Sequence, residues 1–470
     1  MKVSRDTQQL QKTQYRGSSV ENRMESDGKQ RVHRVPSATE NRETNVLGYG
    51  TLERILAREN MWQAYERVVS NKGSHGVDKM NVYELKQFLQ SQWPNVREQL
   101  LQGTYKPKPV RRVEIPKPDG GMRLLGIPTV LDRLIQQAIA QELTIIFNED
   151  FSGSSYGFRK YISAHDAVTK ANQYISEGYR WVVDIDLEKF FDRVNHDILM
   201  SRVARKVKDK RVLKLIRLYL QSGILANGVL VRSEEGTPQG GPLSPLLANI
   251  MLDDLDKELE ERGHKFCRYA DDCNIYVRSE RAGQRVMISV TEFIEKKLKL
   301  KVNKGKSAVD RPWKRKFLGF SFYLFKGKSR IRISPKSIHR FKEKIRSVTS
   351  RSYSIDMDLR INKLNQITVG WVNYYGKLAN AKNLVSDIDE WIRRRLRMCF
   401  WKQWKKIKTK HKNLVKLGIP NSKAWEYANT RKGYWRISIS PILSRTLNNQ
   451  FFEGLKLKSL SAQYSKVHNS

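Results

Sequence analysis

Two adjacent carboxylates, Asp271 and Asp272, lie in Tyr269-Ala270-Asp271-Asp272, between the apolar-rich segments Phe266-Cys267-Arg268 and Cys273-Asn274-Ile275-Tyr276-Val277. Strand alternation followed by a tight turn places such a pair at a hairpin tip, with at least one carboxylate facing inward. Adjacent acids at an apolar strand end repel each other and lose hydration, so they call for a compensating cation. A hard divalent ion such as Mg2+ suits oxygen donors of this kind. Taken alone, the pair also reads as a solvated surface turn. A second acidic site lies in Arg180-Trp181-Val182-Val183-Asp184-Ile185-Asp186. Period two puts Asp184 and Asp186 on one face of a strand. Phe191 stands five positions after Asp186. Asp186 could instead cap a following helix.

Cations and glycines supply the complementary chemistry. Tyr105 to Arg123 carries alternating Val and Ile around Pro118-Asp119-Gly120-Gly121, the pattern of a β-hairpin loaded with positive charge. Lys117 and Arg123 bracket that turn and can converge on one anion, as a triphosphate requires; a solvated edge hairpin is the plainer reading. Gly236-Thr237-Pro238-Gln239-Gly240-Gly241-Pro242-Leu243-Ser244-Pro245 opens a helix, where backbone can approach a ligand closely and the helix N-terminus favours anions. A tight turn capped by Ser244 is the alternative. Near the C-terminus, Arg393, Arg394, Arg395 and Arg397 lead into Trp401, Lys402, Trp404, Lys405 and Lys406. Aromatics stack on unpaired bases while cations meet phosphates, so this stretch suits an RNA surface. It suits equally an amphipathic helix with buried Trp and solvated cations, and both readings can hold on different faces.

Composition bounds the partners. The 470 residues include 88 Lys and Arg against 48 Asp and Glu, a net charge of +40. So large an excess repels itself unless a polyanion is a normal partner, and nucleic acid is the leading candidate. A membrane is disfavoured, because no apolar run approaches the roughly 20 residues that span a bilayer, and Met1 to Asp6 lacks a secretory apolar core. Three cysteines, Cys267, Cys273 and Cys399, provide neither a disulfide framework nor a zinc pattern.

Several elements must position these groups. Residues 1–46 are polar and cationic and read as a disordered tail. Helical periodicity runs from Leu52 to about Asn71 and from Val82 to Leu101. Ile127–Phe147, Ser163–Ser176, Val212–Ser222, Leu246–Glu260 and Arg285–Leu298 are further helices. Phe317-Leu318-Gly319-Phe320-Ser321-Phe322 is an aromatic strand or turn, and helices follow over Ile338–Val348, Met357–Trp371 and Val385–Gln403.

Acids in two distant clusters, a cationic hairpin and a Gln-Gly loop form a polymerase constellation, since nucleotidyl transfer uses two metal ions about 4 Å apart and cations at the triphosphate. The chain resembles the reverse transcriptases encoded by bacterial group II introns. Tyr269-Ala270-Asp271-Asp272 matches the family's catalytic box, and Thr237-Pro238-Gln239-Gly240-Gly241 with Leu243-Ser244-Pro245 matches its template and nucleotide loop. Phe317-Leu318-Gly319-Phe320 matches its primer grip; Tyr156-Gly157-Phe158-Arg159, Ile115 to Gly121 and Trp371-Val372-Asn373-Tyr374-Tyr375 also match, in order, from about residue 52 to at least 420.

The resemblance implies an α+β right-hand polymerase, with fingers and an antiparallel palm over 105–328, an N-terminal extension at 47–104, a helical thumb at 329–395 and a maturase region, domain X, at 396–470. It implies that Asp186, Asp271 and Asp272 hold two Mg2+ ions. The family's aromatic five residues after the first acid excludes a 2′-hydroxyl, which selects Asp186 over Asp184 through Phe191. Lys117, Arg123, Gln239 and Lys306 would contact the nucleotide. Arg393, Arg394, Arg395, Arg397, Lys402, Lys405 and Lys406 would contact RNA. The expected partners are group II intron RNA, an RNA template with a DNA primer, dNTPs and target DNA, without a membrane, in a cytoplasmic setting associated with the nucleoid. The Cys pairs of the family's DNA endonuclease domain are not found, so an endonuclease-lacking type that borrows its primer is expected. Two other roles compete: a splicing factor with an idle polymerase site, and a domesticated relative in phage defence or a CRISPR locus.

Overall fold

The computed structural model describes residues 49–116, 120–226, 229–231, 236 and 240–469. The expected disordered tail, Lys117 with its Pro-Asp turn, and Thr237-Pro238-Gln239 lie outside the described residues. The N-terminal helical stretch divides into α1 (Leu52–Ile55) and α2 (Arg58–Ser70). At the break Asn60 Nδ2 donates to the carbonyls of Ile55 and Ala138 at 2.8 and 3.1 Å, so tertiary contacts take the place of helix continuation. α3 (Leu85–Leu101) follows, then the hairpin β1 (Val110–Pro116) and β2 (Met122–Ile127). Together with β4 (Ile224–Ala226) and β5 (Val229–Val231) they form one sheet in the order β2-β1-β4-β5. α4 (Val130–Asn148) begins at Thr129, whose hydroxyl accepts from Asp132 N; α5 (Ala164–Ser176) opens with a full capping box between Ser163 and Asp166.

The second sheet carries the acids. Its order is β6-β7-β3-β8, all antiparallel, from β3 (Trp181–Ile185), β6 (Lys265–Tyr269), β7 (Asp272–Val277) and β8 (Ala308–Asp310). Alternation divides its side chains between two cores. Val183, Ile185, Cys273, Ile275 and Val277 join the core with α4 and α9 (Ser244–Glu261). Val182, Cys267 and Tyr276 join the core of the C-terminal helices. Between β3 and the second strand pair run α6 (Phe190–Arg193), α7 (His196–Lys206) and α8 (Lys210–Leu220), and α10 (Glu280–Lys297) follows β7. α9 starts after Leu243 as its N-cap rather than with Ser244 as the capping side chain.

A separate ribbon, β9 (Phe320–Phe325) with β10 (Lys328–Ile333), leads to the helices α11 (Pro335–Val348), α12 (Met357–Tyr375) and α13 (Lys382–Gln403). α13 is continuous through residues 395 and 396, so the expected division between thumb and domain X falls inside one helix. Of the remaining helices, α14 (Ile407–Lys416) to α19 (Leu460–His468), α16 (Tyr434–Ile437) packs on α13 and α19 on both α12 and α13, while α14 packs on α15 (Asn421–Ala428). Asp389 caps α19, accepting from Leu460 N, Ser461 N and the Ser459 hydroxyl at 2.7 to 2.9 Å. Among the described residues no helix is long and apolar enough to cross a membrane.

Candidate active site

The hairpin β6–β7 closes with Tyr269 opposite Asp272, leaving Ala270 and Asp271 as its two-residue tip. Ala270 adopts a φ of 56°, the left-handed region that two-residue hairpin turns require and that a residue with a Cβ enters at a cost. Across the sheet Ile185 pairs with Cys273. Asp186 directly follows Ile185 and Asp272 directly precedes Cys273, with Asp271 at the adjoining tip, and the charge of Asp186 acts on both Asp271 and Asp272. Beyond β3 the chain stays anchored. Asp186 N donates to Ser307 Oγ at 3.0 Å, Asn303 N donates to the Asp186 carbonyl at 2.8 Å, and Glu188 N to the Lys301 carbonyl at 2.8 Å. The turn 303–307 therefore wraps the backbone of Asp186 and brings Lys306 Nζ to 3.5 Å from its carboxylate.

The two acids of β3 have different fates. Asp184 accepts both Nε and Nη2 of Arg315 on one oxygen, Oδ2, at 2.8 and 2.6 Å, a charge-assisted pairing that opposes the rise in its pKa caused by burial. Among the described residues, Asp186 is approached by the exposed Lys306 at 3.5 Å. Burial raises the Asp271 carboxyl pKa and the negative charge of Asp186 adds to the rise, while Arg123 and Lys306 oppose it. Asp272 reaches solvent, yet the surrounding protein and then Asp271, Asp184 and Asp186 push its pKa up to about 7. Four carboxylates are crowded here and one is neutralised by Arg315. Among the described residues, no group of three His, Cys, Asp or Glu side chains stands ready to enclose a metal ion. The donor chemistry fits one nevertheless: all donors are oxygens, and mutual repulsion is the load a divalent cation relieves.

Other expected residues take up positions around the acids. Arg123 pairs with Ile115 across the β1–β2 hairpin and is exposed; its charge acts on Asp271. Lys117 and Gln239 lie outside the described residues. The start of the Gln-Gly loop is nonetheless tied to the segment that follows β3, around α6 and the start of α7. Gly236 N donates to the Val194 carbonyl at 2.8 Å, and His196 Nε2 donates to the Gly236 carbonyl at 2.6 Å. A Cβ at Gly236 would stand 2.8 Å from the Phe191 carbonyl oxygen, so only glycine lets the loop approach the short helix that presents Phe191. Phe191 is half-buried, edge-on to Phe190 at 5.1 Å.

The aromatic segment after the palm forms a tight turn, with Leu318 and Gly319 at φ 51° and 83°. The C-terminal helices hold it: Tyr374 donates its hydroxyl to the Leu318 carbonyl at 3.0 Å, and Ser337 donates to the Gly319 carbonyl at 2.9 Å. Phe320 packs against Tyr374 and Tyr375 at 5.5 and 5.1 Å.

The cationic stretch that runs along α13 and just past its end separates into two classes. Arg395 donates to Thr349 Oγ1 and the Thr349 carbonyl at 2.5 and 3.2 Å, and Arg397 to the Leu447 carbonyl at 3.0 Å; burial lowers the pKa of both. Arg394 lies over the Trp435 ring at 3.7 Å, and Lys402 over Tyr434 at 5.2 Å. Arg393 is half-buried, whereas Lys405 and Lys406 are exposed. Trp401 is core, as the amphipathic alternative expects. Residue types did not disclose Arg315, Ser307 or Arg268 as parts of the site. The one sequence signal was an arginine inside an apolar strand directly before Tyr-Ala-Asp-Asp.

Comparison with known proteins agrees with this geometry. Residues 115–322 match the family model for reverse transcriptase (RNA-dependent DNA polymerase), and residues 338–418 match that for the group II intron maturase-specific domain. The second match also crosses residue 395. The chain is 33% identical to protein YkfC of Escherichia coli K12 over 298 residues, covering 55% of this chain and 78% of that protein. It is 38% identical to the group II intron-encoded protein LtrA of Lactococcus lactis over 226 residues, 46% of this chain and 36% of LtrA. Among solved structures, a chain of a partial Cas6-RT-Cas1–Cas2 complex is 28% identical over 52% of this chain and 42% of its own, with a TM-score of 0.34. With a polymerase domain and a maturase domain in succession, the chain belongs to the group II intron family of reverse transcriptases.

Proposed function

We propose that this protein copies group II intron RNA into DNA for retrohoming, while its C-terminal helices grip the same RNA and promote its splicing. The observation that supports this most is the crowding of Asp186, Asp271 and Asp272 where β3 and the β6–β7 hairpin end side by side, close enough for their charges to act on one another. In this reading Asp186, Asp271 and Asp272 hold two Mg2+ ions, which when bound supply Lewis acidity to the attacking 3′-hydroxyl and the triphosphate. Asp184 is not a ligand, because Arg315 occupies it. Arg123 and Lys306 face the acids from the fingers and from the 303–307 turn, where cations offset the charge of a triphosphate and of departing pyrophosphate. Lys117 and Gln239 are assigned to the nucleotide by the family motifs they belong to and lie outside the described residues. Phe191 abuts the sugar and rejects a 2′-hydroxyl.

Residues 105–328 serve as fingers and palm in this scheme, and residues 47–104 as an extension toward the RNA. The helices beyond 329 combine thumb and maturase roles without a break at 395. The turn at Leu318-Gly319 positions the primer strand, held by Tyr374 and Ser337. Lys402, Lys405 and Lys406 meet intron phosphates, and target DNA with a free 3′ end supplies the primer. Extension of a DNA primer on poly(rA) with dTTP and Mg2+ tests the reading. Wild-type protein is expected to extend the primer and Asp271→Ala to give no product; a wild type that incorporates nothing would leave a splicing factor with an idle polymerase site.

A further inference from the structure

The catalytic hairpin rests on a buried arginine that no part of the proposed chemistry uses. Arg268 and Asp256 are both 0% exposed. A guanidinium carries five N–H donors in a planar fork, and all five find acceptors here. Nε and Nη2 donate to the two oxygens of Asp256 at 2.6 and 2.5 Å. Nη2 also donates to Ser155 Oγ at 2.7 Å, and Nη1 to Asn249 Oδ1 at 3.1 Å. The fifth bond runs from Nη1 to the carbonyl of Ala270, at 2.9 Å. That carbonyl belongs to the left-handed residue of the turn and leads directly into Asp271.

The same network braces the turn from a second side. Asn249 Nδ2 donates to the Gly157 carbonyl at 2.8 Å. Gly157 packs so tightly on the tip that a Cβ would stand 3.0 Å from the Tyr269 carbonyl carbon and 3.2 Å from Ala270 Cα. Backbone bonds from Tyr156 N to the Arg268 carbonyl, 2.8 Å, and from Arg268 N to the Ser154 carbonyl, 2.9 Å, lock that loop along β6. Asn249 and Asp256 both project from α9, the helix that begins where the Gln-Gly loop ends. A buried ion pair is by itself weak evidence of stabilisation, because desolvation offsets much of the attraction. Its geometry at this place does more than join two strands.

We infer that Arg268, held by Asp256 and Asn249, is a positioning residue: it fixes the Ala270 carbonyl and thereby the direction in which Asp271 presents its carboxylate. The inference rests on the reading of Asp271 as a metal-site acid. A displacement of about 1 Å in a reacting group can cost on the order of 100-fold in rate without changing ground-state binding.

Single-nucleotide incorporation by the full-length protein, with kcat, dTTP KM, primer–template Kd and Tm measured on each variant, tests it. Arg268→Lys keeps the charge but cannot reproduce the fork, and Asn249→Ala leaves the Arg268–Asp256 pair intact should the lysine variant fold poorly. Both are expected to lose kcat, by about 100-fold for the first and less for the second, with KM and Kd within twofold of wild type. The control is Arg202→Lys, at an arginine–aspartate contact of α9 that makes no bond to the turn, where Arg202 Nε donates at 2.9 Å to Asp254, a carboxylate that also accepts from Arg205. It is expected to lower Tm comparably and to leave kcat within threefold. If Arg268→Lys or Asn249→Ala folds and keeps wild-type kcat, or if kcat falls equally in the control, the inference is overturned. Failure of the underlying reading looks different: Asp271→Ala would itself still extend the primer.

Discussion

The palm hairpin and helix α13 both concentrate charge, and they dispose of it in opposite ways. At the hairpin the one arginine is sealed and fully bonded, while Asp186, Asp271 and Asp272 are left mutually repelling. On α13 it is again arginines that turn inward, onto Thr349, Leu447 and Trp435, while Lys405 and Lys406, just beyond the helix end, stay in solvent. In both regions the planar, multi-donor guanidinium does structural bonding that an ammonium cannot reproduce. The groups available to a ligand are those left without an internal partner. A cluster of like residues in the sequence thus divides in space into scaffold and surface.

The sharpest way to break this comparison is to treat the two β3 acids alike. Asp186→Asn is expected to lower nucleotide incorporation by about 1000-fold, the scale of losing a central electrostatic contact, and to raise Tm in metal-free buffer by relieving repulsion. Asp184→Asn leaves Arg315 with a weaker acceptor, so it should lower Tm and change incorporation less than tenfold; the reverse ranking would make Asp184 the ligand. Phe191→Ala should reduce discrimination between dTTP and UTP by roughly tenfold or more, read from the ratio of their kcat/KM values. Unchanged discrimination would remove Phe191 from the sugar.

Smaller effects separate scaffold from surface on α13. Arg395→Met is expected to cost about 1–3 kcal/mol in denaturant unfolding, since it strands buried acceptors at Thr349, with the salt dependence of intron RNA binding unaltered. The pair Lys405→Ala and Lys406→Ala should show the converse. Stability holds, and the slope of log K against log salt falls by up to about 2, roughly one per phosphate contact. If Arg395→Met flattened the slope and the lysine pair did not, the division between inward arginines and outward lysines would be wrong.

Much of the molecule was legible before folding. Helices α4, α5, α9 and α13 follow from apolar periodicity, with ends within a few residues of those expected. The hairpin tip at Ala270-Asp271 follows from alternation interrupted by a turn. It is the family resemblance, through the aromatic at Phe191, that favours Asp186 over Asp184; the structure shows that Asp184 pairs with Arg315. What could not be read locally is who partners whom. Arg315 lies 131 residues from Asp184, Ser155 lies 113 from Arg268, and Thr349 lies 46 from Arg395. The break between α1 and α2 likewise depends on the distant Ala138 carbonyl.

Local sequence determined the elements, the acid pair and the cationic balance, because backbone periodicity and turn chemistry act over a few residues. Only tertiary structure decided which charges are neutralised inside and which face a ligand, because that depends on desolvation and on acceptors brought in from remote segments. The Tyr-Ala-Asp-Asp turn needs both. Its acids are written in the chain, and the direction they point is set by a guanidinium whose acceptors come from α9 and the Ser155 loop.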